Sequence, residues 1–532
     1  MTNTWKIKQK LALFFASIFI FFLVINGYAE TGTAAPREKI DLPALETYFE
    51  TARNEWKIPG LAVAIVKDGQ VVLAKGYGIK TFSKKEKVDE QTLFAIASNT
   101  KAFTAAALAI LVEEGKIDWD DRVRTYLPYF TLYDPYVTEA MTIRDLLCHR
   151  SGLKTFSGDL LWYETSYSTV EVIKRARYLT PAYGFRSKYG YSNIMFMAAG
   201  EIVPAVTGMP WQDFVKERIF KPLGMKTTHT GTSDLKKYPN VATPHYVYLD
   251  GKTITVPYTP TDNFGGAGSI NSNVLEMAQW LKMLLNKGVF AERRILAEES
   301  LGEMWSSQIP LPVRPTNREL FPSTHFTTYG LGWVLADYQG YQLIYHGGAL
   351  DGMISGVALV PEIDLGLVIL TNSINRLPSA LMYKIIDTYL GTTPKDWSHI
   401  YLQRYRESVA KEMQREIKLP KTPAGKTSGP LKLEDYTGLY GGPMYGDASV
   451  TLEKGKLVLG FLPAPVLISD LAHLNYDTFR LKLRNDLSFV PHGTGTVQFL
   501  RDPEGNVVEM KVDIPNRDFW FDELQFKKKS PD

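Results

Sequence analysis

Ser98-Asn99-Thr100-Lys101-Ala102-Phe103-Thr104-Ala105-Ala106-Ala107-Leu108-Ala109-Ile110-Leu111-Val112 decides how this chain is read. From Ala102 onward the stretch is small or apolar around its whole circumference and ends near Gly115, so it forms a helix that is stable only in a protein interior. A serine at the start of such a helix and a lysine three residues on share one face. The Ser98 hydroxyl then sits at the positive end of the helix, where developing negative charge is stabilised. Burial of Lys101 lowers its proton affinity, so that the amine can take the hydroxyl proton. The competing reading is a serine N-cap beside a lysine that reaches solvent.

The pattern Ser-x-x-Lys also occurs at Ser151/Lys154, Ser233/Lys236 and Ser408/Lys411, so context has to choose. Ser151 is followed at once by Gly152, and Ser233 lies in a polar run that ends in Tyr238-Pro239; both read as loops. Ser408 falls on a charged amphipathic helix from His399 to Lys418, a solvated face. Only Ser98 opens a helix that must be buried.

Working outward, a helix-like stretch from Leu42 to Asn54 precedes the apolar run Leu61-Ala62-Val63-Ala64-Ile65-Val66. The turn Lys67-Asp68-Gly69-Gln70 and Val71-Val72-Leu73 follow, which reads as a β-hairpin. Helical patterns fill the middle, including Glu276 to Leu285, and strands return at Tyr341 to Tyr345, Ser355 to Val360 and Leu365 to Thr371. Terminal strands with helices between them predict an α+β domain, an antiparallel sheet faced by a helical region. Past the charged helix, the Pro-, Gly- and Ser-rich stretch 420–430 reads as a linker. The alternating runs Ser449 to Leu452, Lys456 to Leu459 and Val507 to Val512 then predict a small all-β, barrel-like domain. The expected organisation is a signal segment at 1–29, a catalytic domain at 30–397, a helix and linker at 398–430 and a β domain at 431–532.

The first segment carries Lys6, Lys8 and Lys10, the apolar run Leu11 to Ile25 and then Gly27-Tyr28-Ala29, the layout of an export signal. The run falls short of the roughly 20 residues a membrane-spanning helix needs, so cleavage after Ala29 and a secreted or periplasmic product are expected, with an uncleaved anchor as the alternative. A chain of 532 residues exceeds one hydrophobic core, and a net charge of +3 with interleaved acids and bases points away from nucleic acid as a partner. Cys148 is the sole cysteine; it lies in the apolar pattern Thr142 to Cys148 and is expected to pack as a small hydrophobe. Gly-x-Ser-x-Gly, His-Glu-x-x-His and Gly-x-x-x-x-Gly-Lys are all absent from the sequence, so no metal and no cofactor are expected.

Two later motifs complete the picture: Tyr191-Ser192-Asn193, and His346-Gly347-Gly348 after the strand Tyr341 to Tyr345. With Ser98-x-x-Lys101, and with the flanks Thr142 to Leu153 and Gly265-Gly266-Ala267-Gly268-Ser269, the chain from about Leu42 to Gly391 resembles the serine β-lactamase and penicillin-binding-protein-like hydrolases, in their class C and D-alanyl-D-alanine carboxypeptidase B branch. The resemblance implies the β-lactamase/transpeptidase-like fold and a set of roles. Ser98 becomes the nucleophile and Lys101 its activating partner. Tyr191 relays the proton, on condition that lysine charge lowers its phenol pKa. Asn193 orients Lys101 and binds the substrate amide, and His346 lines the opposite wall with Gly347 and Gly348. The N–H groups of Ser98 and Ala349 form the oxyanion hole. His149 reads as structural, and the glycines at 265, 266 and 268 as a backbone turn framing the cleft.

The chain departs from this family pattern at Gly347, where members that bind carboxylates usually offer a hydroxyl. A missing charge-assisted hydrogen bond costs about 1.5–3 kcal/mol of binding, which shifts the expected substrate from β-lactams and peptide carboxylates toward small esters, amides or peptides with a free amino end. A second class of function is a non-turnover binder, acylated on Ser98 and acting as a sensor of the cell envelope. The β domain has three open roles: covering the cleft, assembling copies of the chain, or binding a ligand.

Overall fold

The computed structural model describes residues 40–417 and 432–530, apart from residues 249, 314, 486, 488 and 490–492. The expected signal segment and the linker at 420–430 lie outside the described residues.

Leu61-Ala62-Val63-Ala64-Ile65-Val66 forms the middle of strand β1 (Gly60–Lys67), and all six side chains are buried because the sheet is covered on both faces. Strand β2 (Gln70–Gly78) completes the expected hairpin. The chain then leaves the sheet for the helical region and returns as β3 (Ile309–Leu311), β4 (Thr327–Tyr329), β5 (Val334–Tyr338), β6 (Tyr341–Leu350), β7 (Met353–Val360) and β8 (Leu365–Thr371). The eight strands are antiparallel in the order β3-β4-β5-β6-β7-β8-β1-β2, so the N-terminal hairpin closes against the last strand of the domain.

Period-two alternation sorts the side chains. Leu61, Val63 and Ile65 of β1, with Leu365, Leu367 and Ile369 of β8, share a core with helices α1 (Leu42–Glu55), which supplies Leu45 and Phe49, and α5 (Leu377–Leu390), which supplies Leu381 and Ile385. Trp397, the first residue of α6 (Trp397–Ile417), caps that core. Ala62, Ala64, Val66, Val368 and Leu370 face the other way, toward α4 (Val274–Leu285), α2 (Thr100–Glu113) and α3 (Asn193–Thr207). Each fully buried Val, Leu or Ile contributes roughly 1.5–3 kcal/mol, so this face fixes the helical region against the sheet. In α2 every residue from Thr100 to Leu111 is buried, as the composition of that helix requires.

One local reading changes. Strand β6 runs through His346-Gly347-Gly348-Ala349 rather than stopping at Tyr345, because Gly347 and Gly348 pair with Gly356 and Ser355 of β7. The glycines at 265, 266 and 268, read as a backbone turn, lie in one short helical turn.

The C-terminal domain is a closed eight-stranded antiparallel barrel of β9 (Gly438–Gly442), β10 (Gly446–Glu453), β11 (Lys456–Phe461), β12 (Ile468–Asn475), β13 (Thr478–Leu483), β14 (Thr494–Arg501), β15 (Val507–Asp513) and β16 (Phe526–Lys528). Its interior is packed with aromatic rings: Tyr436 lies 4.8 Å from Phe499, and Phe461 lies 5.8 Å from Phe526, centroid to centroid. An eight-stranded barrel is just wide enough for side chains to fill it, and here they do. The barrel is not loosely appended. One continuous buried cluster runs from the helical region into it, and Tyr163 of the catalytic domain packs 4.3 Å from Phe519.

Candidate active site

Ser98 is reached through a short strand, Phe94–Ala95, and a single 3-10 turn, Ala97–Asn99, in which Ala97 takes a left-handed φ of 49°. The helix proper begins at Thr100, so Ser98 is not its N-cap but stands on a strained turn just before it. The neighbours of Ser98 are buried while Ser98 itself is partly open.

Lys101 is fully buried, and its Nζ lies 3.1 Å from Ser98 Oγ, 2.7 Å from Asn193 Oδ1 and 2.7 Å from the Ala267 carbonyl oxygen. Desolvation holds its proton affinity well below that of an ordinary lysine, with the Asp159 carboxyl opposing. A neutral amine has two N–H groups and one lone pair. In that form the two carbonyl acceptors would take the N–H groups and leave the lone pair for the Ser98 hydroxyl.

The glycines before Ala267 make this approach possible. A Cβ on Gly266 would stand 2.9 Å from Thr104 Oγ1 and 3.1 Å from the Phe196 carbonyl, too close for any other residue, so the turn presses into α2 and α3 and delivers its carbonyl to Lys101. Asn193, the first residue of α3, bridges two titratable groups: Oδ1 accepts from Lys101, and Nδ2 donates to Asp159 Oδ2 at 2.6 Å. Asp159 is buried, and burial pushes its carboxyl up to about 8 against the pull of Asn193, Trp162 and Lys101.

Tyr191 closes the site from one side, with Lys101 Nζ 4.8 Å from its ring centroid. Its phenol is raised well above the usual range by burial, with a hydrogen bond to Ser98 opposing, so the expected lowering by lysine charge is reversed. Two causes combine: the amine is itself held toward neutrality, and the desolvated phenolate has little to stabilise it. His149 packs 4.1 Å from the Tyr191 ring, and its Nδ1 accepts the Ser192 N–H at 3.0 Å, which makes it a support for the tyrosine. Burial holds its imidazole far below the usual pKa and therefore neutral.

On the opposite wall, His346 is neutral as well, pushed down to about 3 by burial and by Lys101. Its Nδ1 lies 2.6 Å from the Gly347 carbonyl and its Nε2 lies 2.9 Å from Tyr329 Oη. A carbonyl can only accept, so Nδ1 carries the proton and Nε2 accepts from the Tyr329 hydroxyl. Both nitrogens are thus engaged by protein. Gly347 and Ala349 are exposed, while Gly348 lies flat against the Ser98 turn: a Cβ there would come within 3.0 Å of Ser98 N and collide with the Ile96 carbonyl and Ser355 Oγ.

The other Ser-x-x-Lys pairs go elsewhere. Lys154 pairs with Asp522 and Glu523 of the barrel, Ser233 donates to Asp262 at 2.7 Å, and Ser408 accepts from Arg517 at 3.0 Å. Cys148 is buried, its thiol raised to about 12, and it is inert as a nucleophile. Among the described residues, no group of three or more His, Cys, Asp or Glu is placed to hold a metal ion. The sequence pattern brings Ser98, Lys101, Tyr191, Asn193 and His346 together but misses Asp159, the Ala267 carbonyl, Ser355 and Tyr329. Asp159 has no local signature; only its neighbour Asn193, distant in the chain, reveals it.

Comparison with known proteins agrees with this geometry. A family model described as Beta-lactamase matches residues 45–383, and one described as Domain of unknown function (DUF3471) matches residues 422–528. The chain is 30% identical over 426 residues to Unguisins hydrolase ungD' of Aspergillus campestris, across 76% of this chain and 77% of that protein. It is 29% identical over 336 residues to Protein flp of Staphylococcus aureus, across 62% of each. Among solved structures, the octameric penicillin-binding protein homologue from Pyrococcus abyssi superposes with a TM-score of 0.61 at 23% identity, covering 92% of this chain and 100% of that one. The D-amino acid amidase of Ochrobactrum anthropi superposes at 0.53 and 24% identity, covering 65% and 98%. The fold around Ser98, the match over residues 45–383 and the fungal hydrolase relative agree, and the chain belongs to the beta-lactamase family of hydrolases, with a separate barrel domain at its C-terminal end.

Proposed function

We propose that the chain is a serine hydrolase that works through an acyl-enzyme on Ser98 and cleaves small esters or amides. The observation that carries this reading is the Lys101 amine, buried, 3.1 Å from Ser98 Oγ, with its two N–H groups directed to the Asn193 and Ala267 oxygens. In the reaction, Ser98 Oγ attacks the substrate carbonyl carbon and its proton passes to Lys101 Nζ. The N–H groups of Ser98 and Ala349 stabilise the oxyanion. Tyr191, protonated in the resting site, gives its proton to the leaving group and recovers it from Lys101. Water then attacks the ester, and the same groups return the proton to Ser98. Neutral and fully bonded, His346 shapes the wall and is not needed as a proton carrier.

Gly347 offers no hydroxyl to a substrate carboxylate, which favours neutral esters and amides. The D-amino acid amidase among the similar structures supports the amide class. Incubation with a p-nitrophenyl ester and with D-phenylalanine amide tests the reading: many turnovers per enzyme are expected, whereas a burst of one equivalent with no further product would favour the acylated binder. Space exists to restore the missing donor, since the nearest atom to a Cβ on Gly347 is the Ser355 carbonyl oxygen at 3.8 Å. Gly347→Thr is therefore expected to speed penicillin adduct formation by on the order of 10-fold or more, measured by intact mass, with little change on a neutral ester. An unchanged penicillin rate would show that carboxylate recognition is lost for another reason.

The resting protonation states also set the pH profile. Activity requires the neutral amine and falls in acid as Lys101 is protonated. The Asp159 carboxylate is the one charge that opposes the lowering of the amine by burial. Asp159→Asn keeps an oxygen for the Asn193 amide, removes that charge and is expected to move the acid limb of the kcat/KM profile to lower pH. An acid limb unchanged in that variant would show that the Asp159 charge does not set the Lys101 titration.

We also propose export of the chain, on the basis of Lys6, Lys8, Lys10 and the apolar run Leu11 to Ile25. N-terminal sequencing of the cell-expressed protein is expected to begin at Glu30; retention of Met1 would favour the anchored form.

A further inference from the structure

The barrel touches the first domain at several places, among them Tyr163, Tyr167, Arg175 and Asp351, and one of these contacts is the loop at residues 154–158, which is hydrogen-bonded to Tyr191. Glu523 reaches across with both carboxylate oxygens: Oε1 accepts from Ser157 Oγ at 2.7 Å and Oε2 accepts from the Gly158 N–H at 2.9 Å. Three residues earlier, Trp520 Nε1 donates to the Thr155 carbonyl at 2.7 Å, and its ring lies 3.9 Å beneath Lys154 Nζ. Lys154 completes the clamp with an ion pair to Glu523 at 3.5 Å.

The loop that the clamp holds leads to the reacting groups by two routes, one direct to Tyr191 and one through Asp159 and Asn193 to Lys101. Thr155 Oγ1 accepts the Tyr191 N–H at 3.2 Å, and the Phe156 N–H donates to the Tyr191 carbonyl at 2.8 Å. Gly158 is followed by Asp159, whose carboxyl takes the Asn193 amide at 2.6 Å, and Asn193 holds Lys101 at 2.7 Å. The line from the barrel to the nucleophile is therefore Glu523, the Ser157-Gly158 turn, Asp159, Asn193, Lys101 and Ser98. We infer that Glu523 is a positioning residue for the acylation apparatus, and that the barrel completes the active site of the catalytic domain rather than serving as a separate binding module.

The inference rests on the acylation reading above. A largely buried carboxylate is costly to desolvate and persists where its hydrogen bonds are worth having, and charge-assisted bonds from an N–H and a hydroxyl are among the stronger ones. The aromatic filling of the barrel interior agrees with a structural use of the domain.

The test uses the full chain with Glu523→Ala, Glu523→Gln and, as a control on an exposed barrel acid, Glu504→Ala. Three readouts apply: the rate of fluorophosphonate labelling of Ser98, kcat and KM on p-nitrophenyl butyrate, and hydrogen exchange across residues 154–160. A displacement of about 1 Å at reacting groups costs on the order of 10²-fold in rate, so Glu523→Ala is expected to label and turn over more slowly by that order, with KM little changed and exchange of residues 155–159 faster. Glutamine is expected to rescue most of the rate, because its carbonyl accepts the Gly158 N–H and its amide donates to Ser157 Oγ once that hydroxyl rotates. Should Glu523→Ala fail to fold by thermal unfolding, Ser157→Ala removes one of the two bonds from the other side and is expected to slow labelling in part. Wild-type labelling rates in the folded alanine variants, with wild-type protein labelling normally, would overturn this inference alone. A wild-type protein that does not label would remove the acylation reading and this inference with it.

Discussion

Lys101→Met slows acylation of Ser98 by on the order of 10²–10⁴-fold, the range expected when a positioned general base is removed. Methionine has nearly the length of lysine, so the packing of α2 is retained; what disappears is the lone pair 3.1 Å from Ser98 Oγ. Two acceptors, Asn193 Oδ1 and the Ala267 carbonyl, lose their donor, which costs about 1–3 kcal/mol each, while the desolvation of a buried amine is relieved. The net change in stability is therefore small beside the change in rate. A time course of fluorophosphonate mass shift, with thermal unfolding as the control for folding, checks both halves. Acylation within tenfold of wild type would assign the proton to a base other than Lys101.

Gly348→Ala is expected to cost about 10²–10³-fold in kcat, the effect of losing an oxyanion donor. The added methyl has no room: the Ile96 carbonyl and Ser355 Oγ occupy its place and Ser98 N stands 3.0 Å away. Ser355 Oγ already donates to the Ile96 carbonyl at 2.6 Å and accepts from Asn99 Nδ2 at 2.8 Å, so neither neighbour is free to move. Strand β6 has to shift away from the nucleophile turn, taking the Ala349 N–H with it. One residue earlier, Gly347→Ala meets only open cleft and is expected to leave kcat on a neutral ester nearly unchanged. Steady-state kinetics on both variants separate this account from a general intolerance of the strand; equal losses in the two would contradict it.

Much of the framework is legible in the residues because its signals are local. The apolar run Leu61 to Val66 reads as one strand of a hairpin, the all-round apolar Ala102 to Val112 as a buried helix, and the alternating runs after residue 431 as a small barrel-like domain. Ser98, Lys101, Tyr191, Asn193 and His346 are each carried by a short motif. The parts that stay hidden depend on distant partners. Asp159 sits in an unremarkable loop and matters only because Asn193 folds against it, and Glu523 looks like one charge in an acidic turn until its contact with Ser157 and Gly158 is seen. Glycine is depleted in strands, so the extension of β6 through Gly347 and Gly348 emerges only from its pairing with β7. For Tyr191 the sign of the shift depends on a competition between lysine charge and burial. Burial prevails, because the same enclosure also lowers the lysine.

The central claim, that Ser98 is a lysine-activated nucleophile, is tested most directly by intact-mass analysis of the protein after incubation with a fluorophosphonate, beside Ser98→Ala. One adduct on the wild-type protein and none on the folded variant is the result expected from a hydroxyl 3.1 Å from a buried amine. An unlabelled wild-type protein, or an adduct that persists in Ser98→Ala, would contradict it.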